Sequence, residues 1–358
     1  MARQEKALLG FAIYCLLFSC NIGALGQVAA PKSSPTINYE SYQALLAHWL
    51  ASSQNPRDRA LATQLVKFDL RALTADERAR NGLVLREVAR DSHDDILLQW
   101  IWMISGEAES GCNPQDPCPE RIRAATIAQP DNAASWIRML SAAWSSGAMA
   151  EADAALTRMA AARVYREPAA EEVKAWIDAI DRFPVMSNVE MPESFATDPR
   201  VQVFMDAMSE VSLSPGYEGL TRLCSRARSL EDPQTIAKCA RVAHLMLRAG
   251  TLNERVAGWD VLRETGMATT SENDEMRTLF WEVEQASDCP ITGPESRTAQ
   301  EQRQLIEDWR ASENEIEVLH KEMRRAGIPL RPPASWQPRI GVTTGDITTG
   351  DRPRFNAI

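Results

Sequence analysis

Nearly every segment after residue 36 repeats its apolar residues with the period of an α-helix, and this constrains the fold more than any other feature. Val173, Trp176, Ile177 and Ile180, for example, are spaced i, i+3, i+4 and i+7, which places all four on one helix face. The sequence contains no sustained alternation of β-branched residues. It therefore predicts an all-α fold, with a dozen or more helices at the usual length of about 11–12 residues.

Polar residues suited to capping mark the starts of these helices, and glycines mark their ends. Thr74 and Thr298 each precede a Glu by three residues, the spacing of a capping box. Three further starts place a cap residue before a proline at the first helical position: Asp198–Pro199, Ser214–Pro215 and Asp232–Pro233. Four glycines lie where helices are expected to stop: Gly147, Gly250, Gly266 and Gly327.

Residues 1–26 have the composition of a secretory signal peptide. Two basic residues precede an apolar run over residues 7–19, and the small residues of the 24–26 segment follow it. We expect cleavage there, so that the mature chain begins near Gln27. Two alternatives stay open. Cys20 ends a Leu-Phe-Ser-Cys sequence that resembles a lipobox, and the uncharged stretch of ~20 residues is long enough for a retained membrane anchor.

The charge balance narrows the class of partner. The formal net charge is -10, and Lys and Arg form no cluster. Nucleic acids and anionic membrane surfaces are bound through basic stripes or patches, so we expect neither as a partner. The acidic balance favours a basic or neutral partner. After Ala30 no apolar stretch is long enough to span a bilayer, so any membrane tether would lie at the N-terminus.

Five cysteines follow the signal-like segment, and in an oxidising compartment we expect them to pair. Cys224 and Cys239 lie on two predicted helices, at nearly equal distances from the turn near Glu231. Equal distances from an antiparallel turn bring two side chains level, which is the geometry a disulfide needs. Cys112 and Cys118 flank a short proline-containing loop and form the second expected pair, which leaves Cys289 over.

The segment 130–161 resembles a tetratricopeptide repeat. Trp136 opens its first helix, the small Ala143 follows, Gly147 lies at the turn, and Leu156 and Met159 are packing positions of the second helix. In that family, this order of large residue, small residue and glycine lets two helices pack closely and stack on the next pair. The resemblance implies an array of stacked antiparallel helix hairpins, or an irregular helical solenoid, whose concave face binds proteins or peptides.

A second, poorer match to the same repeat surrounds Gly250, over about residues 232–265. Cys239 takes the position of the opening Trp, and Trp259 lies on the second helix. Arg255 stands where the family has a small Ala. The two glycines are about three periods of the ~34-residue unit apart, and the pattern between them is degenerate.

The chain after residue 296 differs from the repeats. Apolar and small residues recur at alternating spacings of four and three, which predicts a long charged C-terminal helix over residues 297–327: Leu305, Trp309, Ser312, Ile316, Leu319 and Met323. This helix would cover the end of the array or form a short coiled coil. Residues 328–358 contain prolines, glycines and threonines and are predicted to be a flexible tail. The predicted organisation is thus 1–26, 27–296, 297–327 and 328–358.

Motifs that carry known chemistry are missing from the sequence. There is no phosphate-binding glycine loop, dinucleotide fingerprint, nucleophile elbow or paired-His zinc helix, so we expect no catalytic residue, cofactor or metal. His93 with Asp94 is interpreted as helix-start acidity beside a surface histidine, His244 as a packing or surface residue, and Glu171 with Glu172 as a solvated helix face. The tryptophans are expected to fill space between helices: Trp100, Trp102, Trp136, Trp144 and Trp176.

These observations favour an exported, non-enzymatic protein of the bacterial cell envelope that binds a protein or peptide partner. Two alternatives stay open on the sequence alone. One is an exported enzyme with a dispersed active site, and the other is an oligomeric tethered structural protein that uses the seam of residues 305–323. The sequence specifies neither the partner nor the oligomeric state.

Overall fold

The computed structural model describes residues 36–65, 75–105, 118–186, 188–191, 198–211, 216–288 and 298–337. Over these ranges the chain is mostly helical, as the apolar periodicity predicts, and from Ile37 onward it belongs to one compact unit. The fifteen α-helices described are α1 Tyr39–Ala51, α2 Pro56–Leu65, α3 Ala75–Asp91, α4 Ile96–Ile104, α5 Cys118–Ala128, α6 Ile137–Ser145, α7 Met149–Ala161, α8 Ala169–Arg182, α9 Pro199–Val211, α10 Glu218–Ser229, α11 Pro233–Met246, α12 Leu252–Thr265, α13 Thr270–Asp288, α14 Ala299–Arg310 and α15 Glu315–Arg325.

Non-helical regular structure is slight within the described ranges. A 3-10 turn, Ala133–Trp136, leads into α6. Two short strands, β1 Ile37–Asn38 and β2 Val189–Glu190, pair in parallel, with Ile37 opposite Val189. No described helix combines the length and the apolar character that a membrane span requires.

Several predicted caps are confirmed. The Asp232 side chain accepts hydrogen bonds from the N–H groups of the second and third residues of α11, and Thr298 forms a reciprocal capping box with Glu301 at α14. Gly266 ends α12 in the left-handed conformation, at φ +73°. The predicted start at Ser214–Pro215 lies outside the described residues, and α10 is described from Glu218. Gly216, at φ +80°, adopts a conformation that a right-handed helix does not contain.

The predicted hairpins are present, but they do not stack in chain order. Helices α6 and α7 pack on each other around Gly147, whose φ is +74°. Helix α6 packs against α10 and α7 packs against α11, so the hairpin α6–α7 lies on the hairpin α10–α11. Helices α8 and α9, which come between them in the chain, pack instead with α2, α14 and α1. This departure explains why the repeat pattern is degenerate between the two glycines.

Two large apolar cores result, and α4 belongs to both. The first core takes residues from α1–α4, α8, α9, α14 and α15, and the second from α4–α7 and α10–α12. Leu97, Leu98 and Ile101 point into the first core, whereas Trp100 and Met103 point into the second. A helix buried on opposite faces has no polar stripe, and α4 reads accordingly as an almost uninterrupted apolar run.

Helices α11 and α12, which form the second match to the repeat, pack more closely than their sequence predicts. Helices α11 and α12 approach at Gly258, where a Cβ atom would lie only 2.7 Å from the Cβ of Met246. The small residue that this contact needs is therefore Gly258. Arg255, at the position where the repeat family has Ala, donates from Nε to the carbonyl oxygen of Ala249 at 2.8 Å.

The disulfide between Cys224 and Cys239 is confirmed. The bond joins α10 to α11, with a Cα–Cα distance of 5.8 Å, and both side chains are fully buried in the second core. Cys118 is the first residue of α5, and Cys112 lies outside the described residues, so their pairing stays a prediction. Residues 1–26, with Cys20, and Cys289 also lie outside them.

The single C-terminal helix predicted over residues 297–327 is wrong. The segment forms two helices, α14 and α15, separated by residues 311–314. Asn314 takes extended backbone angles, and its side chain accepts the N–H of Glu317 as an N-cap. An Asn that caps a new helix cannot continue the old one, so the heptad-like seam divides between α14 and α15.

Part of the predicted flexible tail is packed. Residues 328–337 run across α13 and α15, where the ring of Trp336 meets that of Trp281 at 5.4 Å between centroids. Arg277 donates hydrogen bonds to the carbonyl oxygens of Pro333 and Trp336, each at 2.7 Å. Residues 338–358 lie outside the described part of the chain.

Candidate functional site

A cleft of about 620 Å³ opens where three connections meet: the loop between α7 and α8, the turn between α11 and α12, and the turn between α14 and α15. Apolar side chains and many charged groups line it. The residues that line it include Arg163, Val164, Tyr165, Arg166, Glu167, Ala169, Ala170, Glu171, Lys174, Leu245, Arg248, Ala249, Thr251, Arg255, Glu313 and Glu315.

Glu254 ties two walls of this cleft together. It is fully buried and forms a capping box with Thr251, whose N–H donates to Glu254 Oε2 at 2.8 Å. Its other oxygen, Oε1, accepts the backbone N–H of Glu167 at 3.0 Å. Burial raises the pKa of Glu254 to about 7. One carboxyl group thus starts α12 and also holds the loop that leads into α8.

Glu167 is enclosed by two tyrosines. Its Oε1 accepts hydrogen bonds from the hydroxyls of Tyr217, at 2.7 Å, and of Tyr165, at 3.3 Å. Burial raises the pKa of Glu167 well above its usual value, and the neighbouring Glu254 raises it further. Burial also raises the pKa of both tyrosines, so their hydroxyls keep their protons and act as donors.

A third carboxyl group, from Glu315, closes the cleft at the start of α15. Its Oε2 accepts the N–H of Leu252 at 3.0 Å, and burial raises its pKa. Glu167, Glu254 and Glu315 thus bond to N–H and O–H groups of the protein itself. These bonds hold the walls of the cleft in place.

Some basic residues of the cleft bond to other groups of the protein, and others do not. Arg166 pairs with Glu171, and Arg255 bonds to a backbone carbonyl. Within the described ranges, Lys174 and Arg248 make neither a hydrogen bond through their side chains nor an ion pair. Lys174 is half-buried and Arg248 is exposed. These two basic side chains are therefore available to contact a ligand, in a cleft whose lining also contains the acidic residues Glu171 and Glu313.

The start of α8 adds donors to the same cleft. Its N-cap residue is Pro168, and no side chain caps the helix. Among the described residues, the N–H groups of Ala169, Ala170 and Glu171 have no acceptor. The N–H groups at the start of a helix carry partial positive charge and point along its axis. Like the side chains of Lys174 and Arg248, they therefore attract negative charge.

The sequence had singled out other polar residues, and the structure does not bring them together. His93 and Asp94 are both exposed, and 3.2 Å separates His93 Nε2 from Asp94 Oδ1. His244 Nδ1 lies 3.0 Å from a Glu272 oxygen on α13, and His320 Nε2 lies 2.8 Å from a Glu282 oxygen. Within the described ranges, no group of three His, Cys, Asp or Glu side chains forms a metal-binding arrangement.

The interpretation of Glu171 and Glu172 as one solvated face is wrong. Glu172 is 2% exposed and accepts a hydrogen bond from the amide of Gln64, whereas Glu171 lines the cleft. The tryptophans do fill space between helices: Trp100, Trp102 and Trp176 are buried, and Trp136 and Trp144 are half-buried in the second core. None of these five residues lines the cleft.

Reasoning from the sequence missed the residues that build the cleft. Thr251 and Glu254 have capping-box spacing, which would have revealed the start of α12. No sequence signal connects Glu254 with Glu167 or identifies Lys174 and Arg248. No protein-family model, no curated protein and no solved structure matches this chain.

Proposed function

We propose that the chain is an exported, non-enzymatic helical-repeat protein of the bacterial cell envelope that binds a protein or peptide partner. The cleft between the α7–α8 loop, the α11–α12 turn and the α14–α15 turn is the proposed binding site. The observation that carries the proposal is this cleft of about 620 Å³, which joins apolar lining to the side chains of Lys174 and Arg248, which have no partner among the described residues. Sites for small ligands and peptide ends commonly combine these features at such a size.

One feature of the sequence and two of the structure support the export and the repeat class. Residues 1–26 have the composition of a signal peptide, and the buried disulfide Cys224–Cys239 suits an oxidising compartment. The hairpins α6–α7 and α10–α11 pack side by side, as neighbouring units of helical-repeat proteins do. The proposed site, however, lies at the connections between helices rather than on a concave face formed by many repeats.

Site-specific photocrosslinking tests the proposed site. A photoreactive phenylalanine derivative replaces Val164, which lines the cleft and is 50% exposed. The matched control carries it at Leu230, which is 66% exposed at the α10–α11 turn and outside the cleft. We expect irradiated cells to yield a crosslinked partner at position 164 and none at position 230. Equal crosslinking at both positions, or none at position 164, would overturn the proposal.

N-terminal sequencing of the protein recovered from cells tests the export part separately. We expect a chain that begins near Gln27. A chain that begins with a lipid-modified Cys20 would replace soluble export by a lipid tether. A chain that retains Met1 and fractionates with cytosolic proteins would contradict export.

A further inference from the structure

We propose that the side chain of Glu167 is a pH-operated switch in the wall of the cleft. While it is protonated, it lies inward against Tyr165 and Tyr217, and at higher pH it turns out into the cleft as a carboxylate. A role of this movement in regulating ligand binding rests on the proposed function, whereas the movement itself can be measured without any ligand.

Two carboxyl groups meet at this point of the fold. Glu254 Oε1 accepts the backbone N–H of Glu167 at 3.0 Å, and Glu167 Oε1 accepts the hydroxyl of Tyr217 at 2.7 Å. The two carboxyl groups are therefore separated by no more than the length of one hydrogen bond and one glutamate side chain. Their bonding partners are uncharged N–H and O–H groups, and within the described ranges neither carboxyl group forms an ion pair.

This inward arrangement depends on a proton. Two neighbouring carboxylates inside a protein repel each other, and each loses the water that would stabilise its charge. In the neutral form of Glu167 one oxygen carries the proton, which leaves Oε1 to accept the hydroxyls of Tyr165 and Tyr217. As pH rises, the pair loses its protons in coupled steps, and the last step leaves two enclosed negative charges.

The groups around the pair supply too little positive charge for two carboxylates. They come from α5, α6, the start of α10, α12, α15 and the loop itself: Arg121, Arg138, Tyr165, Tyr217, Arg255 and Glu315. Arg138 favours the carboxylate form of Glu167, but burial and the charge of Glu254 outweigh it, so the pKa of Glu167 is raised well above its usual value. Glu315 acts on the pKa of Glu254 in the same direction as burial, and Arg255 interacts with acidic residues of α13 as well as with Glu254.

Glu167 is the member of the pair that can leave. Glu254 is fully buried, and its two oxygens accept the backbone N–H groups of Thr251 and Glu167, donors that favour a carboxylate. The carboxyl group of Glu167 is held by two tyrosine hydroxyls, and the residue is half-buried and lines the cleft. Rotation about its side-chain bonds carries the carboxylate into the water of the cleft and requires no change of the backbone.

The movement changes the cleft in two ways. It adds a negative charge to a lining that already contains charged side chains of both signs: Glu171, Lys174, Arg248 and Glu313. It also breaks the side-chain bond between the α7–α8 loop and Tyr217, which precedes α10. Through both effects, the affinity of a ligand for the cleft becomes dependent on pH.

The ring signals of the tyrosines report which position Glu167 occupies. Tyrosines labelled with ¹³C give a simple NMR spectrum of the mature protein, because few tyrosines follow residue 26: Tyr39, Tyr42, Tyr165 and Tyr217. Tyr165→Phe and Tyr217→Phe assign the two signals of interest. We expect both signals to shift together between pH 5 and pH 9, with a midpoint at about pH 7 or above. The signal of Tyr42, which lies in the first core, should stay constant.

Variants of the two carboxyl residues distinguish movement from the mere loss of a proton. Glu167→Gln cannot ionise and can still accept both hydroxyls, so the signals of Tyr165 and Tyr217 should keep their low-pH positions throughout. Glu167→Ala leaves the hydroxyls without a carboxyl partner, so the signals should lie at the high-pH positions throughout. Glu254→Gln removes the repelling charge, so the midpoint should fall by about one pH unit.

A control variant and a folding measurement accompany these titrations. Glu151→Gln, at an exposed position on α7, should reproduce the titration of the unchanged protein. Circular dichroism spectra of all variants should coincide with that of the unchanged protein, which excludes unfolding as the cause of the shifts.

Other outcomes overturn the inference in distinguishable ways. Signals that stay constant from pH 5 to pH 9 would show that Glu167 does not change state there. A transition that persists in Glu167→Gln would belong to another group. High-pH signals that differ from those of Glu167→Ala would show that the carboxylate stays inward. The proposed function has its own test, because crosslinking at position 164 does not depend on the position of the Glu167 side chain.

Discussion

The backbone N–H of Glu167 donates to the buried carboxyl group of Glu254 at 3.0 Å, although 87 residues separate the two in the chain. The same carboxyl group accepts the N–H of Thr251 at 2.8 Å. Glu254 therefore joins the start of α12 to the loop before α8 by means of a group that is removed from solvent. The geometry of the candidate site depends on the protonation and the integrity of this one side chain.

We predict that Glu254 makes the fold less stable as pH rises from about 4.5 to about 7. Burial raises its pKa from 4.5 to about 7, so the folded chain holds a proton that the unfolded chain has released over this interval. Stability therefore falls with rising pH through that window, by at most about 3 kcal/mol from this residue. Urea unfolding midpoints measured between pH 4 and pH 8 will show the decline.

The variant Glu254→Gln separates this residue from other titrating groups. Gln does not ionise, so the pH dependence should be flatter than in the unchanged protein. The free energy of unfolding of the variant should also be about 1–3 kcal/mol lower at pH 5. The amide NH₂ group cannot accept a hydrogen bond, so one of the two backbone N–H groups loses its acceptor. Glu151→Gln, at an exposed position on α7, is the control. If both variants keep the original slope, Glu254 does not carry the effect.

Removal of the disulfide should lower stability without changing the fold. The bond closes a loop with a sequence separation of 15 residues, so replacing Cys224 and Cys239 together by Ala should cost about 3 kcal/mol. Urea unfolding of the double variant and of the oxidised protein, monitored by circular dichroism, measures the difference. Because both cysteines are fully buried, the native protein should also resist labelling of its thiols after brief treatment with a mild reductant. An unchanged midpoint would contradict the prediction.

The disulfide could be predicted because its register is local. Cys224 and Cys239 flank a short turn, and the capping residue Asp232 fixes where α11 begins. Two antiparallel helices joined by a short link have little freedom of register, so equal distances from the turn place two side chains level. Apolar period and capping residues predicted most helices for the same reason: both signals act within a few residues.

The cleft could not be predicted because its contacts depend on tertiary packing. Helices α8 and α9 pack in the first core rather than in the second. The α7–α8 loop therefore lies beside the α11–α12 turn, where Glu167 contacts Glu254. Nothing in the order of residues specifies this departure. The prediction of one long C-terminal helix was wrong for a related reason. The apolar spacing continues past Asn314, although Asn314 caps a new helix, α15.

We predict that Trp336 fastens residues 328–337 to the fold. Its ring contacts that of Trp281, and Arg277 donates hydrogen bonds to the carbonyl oxygens of Pro333 and of Trp336 itself. Trp336→Ala should lower the free energy of unfolding by about 1–3 kcal/mol, since it removes an aromatic pair and uncovers Trp281. Iodide quenching of tryptophan fluorescence should increase together with this loss. The exposed neighbour Ser335→Ala should alter neither measurement, and an unaffected Trp336→Ala would show that the segment contributes no stability.

The last prediction compares two glycines inside helices. At Gly258 on α12, an added Cβ would lie 2.7 Å from the Cβ of Met246 and 2.8 Å from the carbonyl oxygen of Ala243, both on α11. Backbone cannot move aside as a flexible side chain can, so Gly258→Ala should force the two helices apart and cost about 1–3 kcal/mol.

At Gly82 on α3, an added Cβ would meet no atom within 4 Å. Gly82→Ala should therefore stabilise the protein by about 0.5–1 kcal/mol, because alanine has less conformational freedom to lose on folding. The same substitution is thus expected to have opposite signs at the two sites, as measured by urea midpoints. If Gly258→Ala is as stable as Gly82→Ala, α11 and α12 are not in close contact at Gly258. The packing of these two helices would then not depend on a small residue there.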